Sequence, residues 1–85
     1  VSELALVQRA RLGDRKAFAD LVDAYYPRCL RFATHMCGGV EDAEEAVQDT
    51  FVRLHRALAS YDERDRFEPW LFRILANRCR TTRVR

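Results

Sequence analysis

The chain has 85 residues, of which 48% are apolar and 33% are charged, and its formal net charge is +2. This length suits one domain with its own core, and the apolar share is too high for a disordered chain. No apolar run approaches the roughly 18 residues of a membrane span, so we expect no membrane insertion. Three cysteines without a CxxC pair fit a reducing cytoplasm better than a disulfide framework.

The predicted elements are all helices. Only three glycines and two prolines occur, and no stretch alternates apolar and polar residues long enough for a strand. We therefore predict an all-α fold, a compact bundle in which one short N-terminal helix precedes three longer helices. The first helix is predicted at about residues 2–12, because Ser2 is a suitable cap and Gly13 a suitable stop.

The second predicted helix covers about residues 14–37 and contains a proline. Asp14 is a suitable N-cap, and the pair Gly38-Gly39 ends the helix. Its apolar stripe keeps its phase through Pro27, so we predict a kink near Val22–Tyr26 rather than a break. The side chains of this stripe, which we expect to face the core, are Phe18, Leu21, Val22, Tyr25, Cys29, Phe32, Ala33 and Met36.

The last two predicted helices cover about residues 40–59 and 68–83, and the polar segment 60–67 joins them. Pro69 suits the first turn of the fourth helix, where a missing N–H costs nothing. We expect the core faces to be formed by Ala43, Val47, Thr50, Phe51, Leu54 and Leu58 in the third helix and by Leu71, Ile74, Leu75 and Cys79 in the fourth.

Charge reverses between these two helices. Residues 41–49 carry five carboxylates and no base, whereas residues 69–85 carry five arginines and no acid. This reversal predicts two different partners, one of them a polyanion. Acids near a helix start also interact favourably with the helix dipole, so they need no partner to explain them. A single exposed valine is common as well, so Val52 alone does not decide whether this face binds a partner. The outward side of the third helix is predicted to carry Glu41, Glu45, Gln48, Asp49, Val52 and Arg56.

The fourth helix places Arg73, Asn77 and Arg80 on one outward face. Arginine pairs with phosphate through a planar fork and Asn can read base edges, which is suitable chemistry for DNA. The alternative is a solvated helix end whose arginines favour the dipole, but five arginines without an acid favour DNA. Rings suited to stacking on unpaired bases occur at Tyr61, Phe67, Trp70 and Phe72, although Trp70 alone is more typical of the core.

Other chemistry is not supported by the sequence. His35 and Cys37 are two residues apart and face different directions on a helix, unlike helical metal ligands. Cys29 and Cys79 fall on core stripes, where a free cysteine acts as a small apolar group. No nucleophile has a suitable base and no phosphate loop occurs, so we predict no enzyme, no metal site and no cofactor.

Three segments resemble region 2 of the extracytoplasmic-function (ECF) sigma factors of bacterial RNA polymerase. They are GDRKAFADLVDAYYPRCLRFA at 13–33, DAEEAVQDTFVRLHRAL at 42–58 and SYDERDRFEPWLFRILANRCR at 60–80. The resemblance extends from about Leu4 to Arg83. It implies that residues 1–85 form one sigma region 2 domain of a cytoplasmic bacterial transcription initiation factor, which binds core RNA polymerase and recognises and melts the promoter −10 element.

The resemblance also implies a role for each charged face. In the family the acidic helix docks on the clamp helices of the largest polymerase subunit, and the matching positions are Asp42, Glu45, Gln48, Asp49, Val52 and Arg53. The family's linker and last helix bind the non-template single strand of the −10 element, with one flipped base in a pocket under the linker. The matching positions are Tyr61, Asp62, Arg73, Asn77, Arg80 and Thr81. An anti-sigma factor is a further expected partner.

Two alternatives stay open, and the family pattern is incomplete. A sigma-like module could dock on polymerase or an anti-sigma factor without melting DNA. A duplex-reading helix-turn-helix protein is disfavoured, because the segment 60–67 is longer than the short turn of that motif. ECF sigma factors also carry region 4, which reads the −35 element, and nothing here matches it. We therefore expect an excised domain or a fragment of a longer protein.

Overall fold

The computed structural model describes residues 3–61 and 66–83, which form four α-helices and one 3₁₀ turn and contain no strand. The helices are α1 (Glu3–Arg11), α2 (Arg15–Cys37), α3 (Val40–Ala57) and α4 (Phe67–Arg83), with the 3₁₀ turn at Leu58–Ser60. The predicted all-α bundle of one short and three longer helices is confirmed. Observed and predicted helix ends differ by at most two residues, which is ordinary for helix termini. The predicted cap Ser2 lies outside the described residues.

Local capping fixes the first two connections. The Asp14 carboxylate accepts a hydrogen bond from the Ala17 N–H at 3.1 Å, and it accepts from the Arg9 guanidinium at 2.8 and 3.0 Å. Gly13 and Gly38 have φ angles of +94° and +77°, a left-handed conformation that favours glycine. These turns reverse the chain within a few residues and let successive helices pack on one another.

Helix α2 continues through Pro27 without a break, as predicted. The kink near Val22–Tyr26 stays a prediction. Four residues of the predicted stripe are buried and the other four pack against the core while remaining partly exposed. The buried members are Leu21, Tyr25, Cys29 and Ala33, and the partly buried ones are Phe18, Val22, Phe32 and Met36.

Helix α3 packs against both α2 and α4 and buries one side completely. All six predicted core residues of this helix and its 3₁₀ extension are buried, and so is Ala46, which was not predicted. Thr50 is the polar member of this group, and its hydroxyl donates to the Ala46 carbonyl at 2.7 Å. That bond satisfies the buried hydroxyl, so the polar side chain is compatible with an apolar environment.

A polar network ties α1, α2 and the start of α4 together. The Tyr25 hydroxyl donates to the Glu3 carboxylate, and the Arg28 guanidinium lies 4.4 Å from the Tyr25 ring centroid. Arg28 also donates to Glu68 at 2.8 Å, while Phe67 packs edge-on against Tyr25 at 5.4 Å. Burial and the Glu3 carboxylate raise the pKa of Tyr25 well above its ordinary value, so this hydroxyl remains a donor. The network fixes where α4 begins.

The cap of α2 predicts a dependence of stability on pH. The Ala17 N–H and the Arg9 guanidinium hold the pKa of Asp14 below its ordinary value of 3.8. Stabilisation by the charged carboxylate is therefore complete above about pH 4 and is lost as the pH falls through the lower folded-state pKa. Asp14→Asn keeps a capping oxygen but loses the ion pair with Arg9.

We expect the Tm of the wild-type chain to exceed that of Asp14→Asn at neutral pH, measured by thermal circular dichroism. The difference should shrink as the pH falls below 3.8 and through the lower folded-state pKa of Asp14, because the carboxyl group is then protonated and, like Asn, uncharged. A Tm difference that stays constant over this range would contradict the role given to the Asp14 charge.

Candidate functional site

The acidic face is defined here by the six residues predicted to bind polymerase: Asp42, Glu45, Gln48, Asp49, Val52 and Arg53. All lie on the solvent side of α3, and each is exposed except Asp49, which is partly buried. Val52 is 50% exposed, so an apolar side chain does lie within this polar surface. The predicted placement is confirmed, while the role of these residues stays a prediction.

Val52 is not isolated, because it borders an apolar groove between α2 and α3. Inside the groove Tyr26 stacks on Phe51 with ring centroids 6.3 Å apart, and His55 packs edge-on against Phe18 at 4.9 Å. The groove has a volume of about 560 Å³ and is lined by Phe18, Val22, Tyr26, Gln48, Phe51, Val52, His55 and Arg56. Helical periodicity assigned Phe18 and Val22 to the core stripe, and it could not show that they also form an open surface.

The arginine face is defined by Arg73, Asn77, Arg80 and Thr81, and all four side chains are exposed on α4. The outward placement predicted for Arg73, Asn77 and Arg80 is confirmed. Arg80 donates to the Asn77 amide oxygen, and the Thr81 hydroxyl donates to the Asn77 carbonyl at 3.0 Å. Within the described residues, no carboxylate pairs with Arg73 or Arg80. Their charges are therefore available to an anion in solution.

Tyr61 occupies a different environment from the one expected. Its side chain is only 6% exposed, and its ring lies 4.7 Å from the Trp70 ring and 6.1 Å from the Phe67 ring. Phe67 is equally buried. The ring packs in the core in this structure, and the role of Tyr61 in binding DNA stays a prediction. Asp62, the other predicted linker residue, lies outside the described residues.

Two aromatic side chains at the start of α4 keep partial exposure. Trp70 packs on the core through Tyr61, and Phe72 packs edge-on against Phe32 at 5.4 Å. Beside them, between α1 and α4, is a concavity of about 600 Å³ that could receive a planar ring of nucleobase size. Its lining residues are Glu3, Leu4, Val7, Tyr61, Arg66, Phe67, Glu68, Pro69 and Phe72.

An ion pair joins the acidic face to α4. The Asp49 carboxylate oxygen Oδ2 accepts from Arg53 Nε at 3.2 Å and lies 3.6 Å from Arg78 Nη1. The sequence gave no sign of this pairing, because the contact depends on how α3 and α4 are rotated against each other. The pair lies in a groove of about 380 Å³ lined by Glu45, Gln48, Asp49, Val52, Arg78, Thr81 and Thr82.

The cysteines are placed in the core rather than in a reactive site. Cys29 and Cys79 are fully buried, and burial raises the pKa of these thiols to about 11 and about 12. Both are therefore protonated at neutral pH and act as small apolar groups. Over residues 3–61 and 66–83, no cluster of three or more His, Cys, Asp or Glu side chains could hold a metal ion. The helices described there also include none with the length and hydrophobicity to cross a membrane.

Comparison with known proteins identifies the domain. A family model described as Sigma-70 region 2 matches residues 21–85. The ECF RNA polymerase sigma factor SigW of Bacillus subtilis is 35% identical over 71 residues, which is 84% of this chain and 38% of SigW. The RNA polymerase sigma factor NccH of Alcaligenes xylosoxydans is 42% identical over 80 residues, 93% of this chain and 42% of NccH.

A solved structure agrees with these sequence relatives. The NMR structure of an engineered region 2 of sigmaE in complex with GTAAAA aligns with a TM-score of 0.92 and 32% identity, over 99% of this chain and 87% of that one. The chain belongs to the Sigma-70 region 2 family, and the resemblance to ECF sigma factors predicted from the sequence is confirmed. It spans about two fifths of the length of these curated relatives. Sigma factors are transcription initiation factors and not enzymes.

Proposed function

We propose that this chain is the part of an ECF sigma factor that docks on core RNA polymerase and captures the promoter −10 element. Docking uses the acidic face on the clamp helices of the largest subunit, and capture uses the arginine face on the non-template single strand. The observation that carries the proposal is the pairing of two exposed, oppositely charged faces on one rigid bundle. The GTAAAA bound by the structurally similar sigmaE region 2 supports the assignment of DNA as the polyanion.

DNA capture follows from the chemistry of the arginine face. Arg73 and Arg80 have no carboxylate partner among the described residues, so a phosphate that binds them displaces counterions and need not break an ion pair. The Asn77 amide is held in place by Arg80 and can contact a base edge. Flipping a base out of a duplex costs a few kcal/mol, which a pocket for the extruded base offsets. The concavity between α1 and α4 is the candidate pocket.

Melting then needs neither a nucleotide cofactor nor a catalytic residue. A surface that binds the single strand better than the duplex shifts the DNA toward its open state by the difference in the two affinities. Three aromatic rings line the concavity, and of these Phe72 is partly exposed and accessible for stacking, whereas Tyr61 and Phe67 are almost fully buried. The burial of Tyr61 is also compatible with the second candidate function, a module that docks on a partner without melting DNA.

Polymerase docking is supported by the mixture of charge and apolar surface on α3. Carboxylates at Glu45 and Asp49 steer a basic partner, and Val52 with the adjoining groove offers apolar area that can be buried. A helical partner with basic and apolar side chains matches this surface. The same surface is suited to an anti-sigma factor, which we propose as a competing partner. A cytoplasmic location in a bacterium follows from such a role.

A valine substitution tests the docking surface. Val52→Glu places a charge where a partner would bury an apolar side chain, so we expect loss of binding by at least about tenfold in a core-polymerase pull-down. Val40 is a matched control, because it is 56% exposed at the start of the same helix and lies outside the acidic face. Val40→Glu should retain binding, and both variants should keep the helicity of the wild-type chain. Retained binding by Val52→Glu would contradict the docking assignment.

Salt dependence tests the arginine face. If Arg73 and Arg80 each contact one phosphate of a single strand, replacing either with alanine should reduce the slope of log affinity against log salt by about 0.7. The control is Arg15→Ala on α2, which removes an exposed arginine outside the arginine face and should change the slope less. Slopes of Arg73→Ala and Arg80→Ala equal to that of the wild-type chain would show that these arginines bind no phosphate.

A further inference from the structure

The carboxylate of Asp49 contacts two arginines, one on α3 and one on α4. It accepts from Arg53 on its own helix and pairs with Arg78 on α4. The Arg78 side chain is 22% exposed, compared with 45% for Asp49 and 50% for Arg53. Arg78 therefore lies in the groove between α3 and α4 with its charge turned toward the acidic face. Neighbouring Asn77 and Arg80 point outward instead.

We propose that Arg78 is a further phosphate-binding residue, and that Asp49 holds it away from DNA until polymerase engages Asp49. The inference rests on the proposed function, because it uses the same two partners. The groove that contains the pair is lined by Glu45, Gln48 and Val52 from the acidic face and by Thr81 from the arginine face. A group docked on the acidic face at this groove lies beside the Asp49–Arg78 pair.

The coupling has a simple electrostatic cause. When a cation of the docking partner pairs with Asp49, one negative charge is divided among more cations, and the attraction that holds Arg78 weakens. The long aliphatic part of Arg78 can stay packed while the guanidinium swings toward a phosphate on the α4 side. Polymerase and DNA then each favour loss of the same ion pair, so each raises the affinity for the other by an equal factor. Because partly exposed ion pairs are weak, we expect a factor of about two to five.

The first test uses the 85-residue chain and a labelled single-stranded oligonucleotide containing GTAAAA, with fluorescence anisotropy at low salt. Asp49→Asn should raise the affinity about threefold, because it releases Arg78. Removal of any acid favours DNA binding, so the matched control is Glu44→Gln, which removes an exposed carboxylate from the same helix. Glu44→Gln should raise the affinity for the oligonucleotide by a smaller factor than Asp49→Asn. In the double variant Asp49→Asn/Arg78→Gln, the additional gain should disappear.

These measurements separate the inference from the function on which it rests. If the wild-type chain does not bind the oligonucleotide at all, the proposed DNA-binding function fails. If it binds, but Asp49→Asn gains no more than Glu44→Gln, or the gain persists without Arg78, the inference alone is wrong. Circular dichroism of each variant checks that the helices are intact.

A second test does not alter Asp49. In the free chain, Arg78→Gln should weaken oligonucleotide binding no more than Arg15→Gln, which removes an exposed arginine elsewhere, since Arg78 is held by Asp49 in that state. With saturating core polymerase, the same substitution should weaken oligonucleotide binding about two- to fivefold and reduce the salt slope by about 0.7. An equal effect of Arg78→Gln with and without polymerase would overturn the proposed release of Arg78.

Discussion

Burial of one side of α3 against α2 and α4 is the constraint on which the rest of the structure depends. Val47, Thr50 and Leu54 are fully buried along this helix. Because side chains leave a helix in all directions, this burial forces the carboxylates of the same helix into solvent. Helix α4 obeys the same rule, since burial of its apolar stripe at Leu71, Leu75 and Cys79 turns the arginine face outward. One packing arrangement therefore presents both charged faces.

Much of this arrangement could be predicted from the sequence, because helical periodicity shows which side of each helix is apolar and therefore buried. The stripes of α2, α3 and α4 lie in the core, and α2 runs through Pro27 because its apolar phase does not change there. The burial of the Tyr61 ring was not predicted. That residue lies at a linker, where no period applies, and its burial depends on Phe67 and Trp70 from a later helix. Ala46 was missed because its small side chain gives a weak signal.

Contacts between side chains of different helices could not be predicted from the sequence. The pairing of Asp49 with Arg78 requires a particular rotation of α3 against α4, which no pattern within either helix encodes. The groove beside Val52 likewise arises from two helices, and it turns a single exposed valine into part of an apolar surface. Charge reversal along the chain predicted two partners, and in the structure the Asp49 carboxylate pairs with one arginine of α3 and one of α4. We propose that melting is the selection of single-stranded DNA by a preformed surface.

The preference for single-stranded over duplex DNA tests the central claim most directly. It can be measured by fluorescence anisotropy with core polymerase and this chain, using one −10-type sequence as the non-template strand alone and as a duplex. We expect at least about tenfold tighter binding of the single strand, because each extruded base of the duplex must first be unpaired at a cost of a few kcal/mol. We also expect core polymerase without this chain to show no such preference for the single strand. Equal binding of duplex and single strand, or the same preference with polymerase alone, would contradict the proposed selection of the single strand.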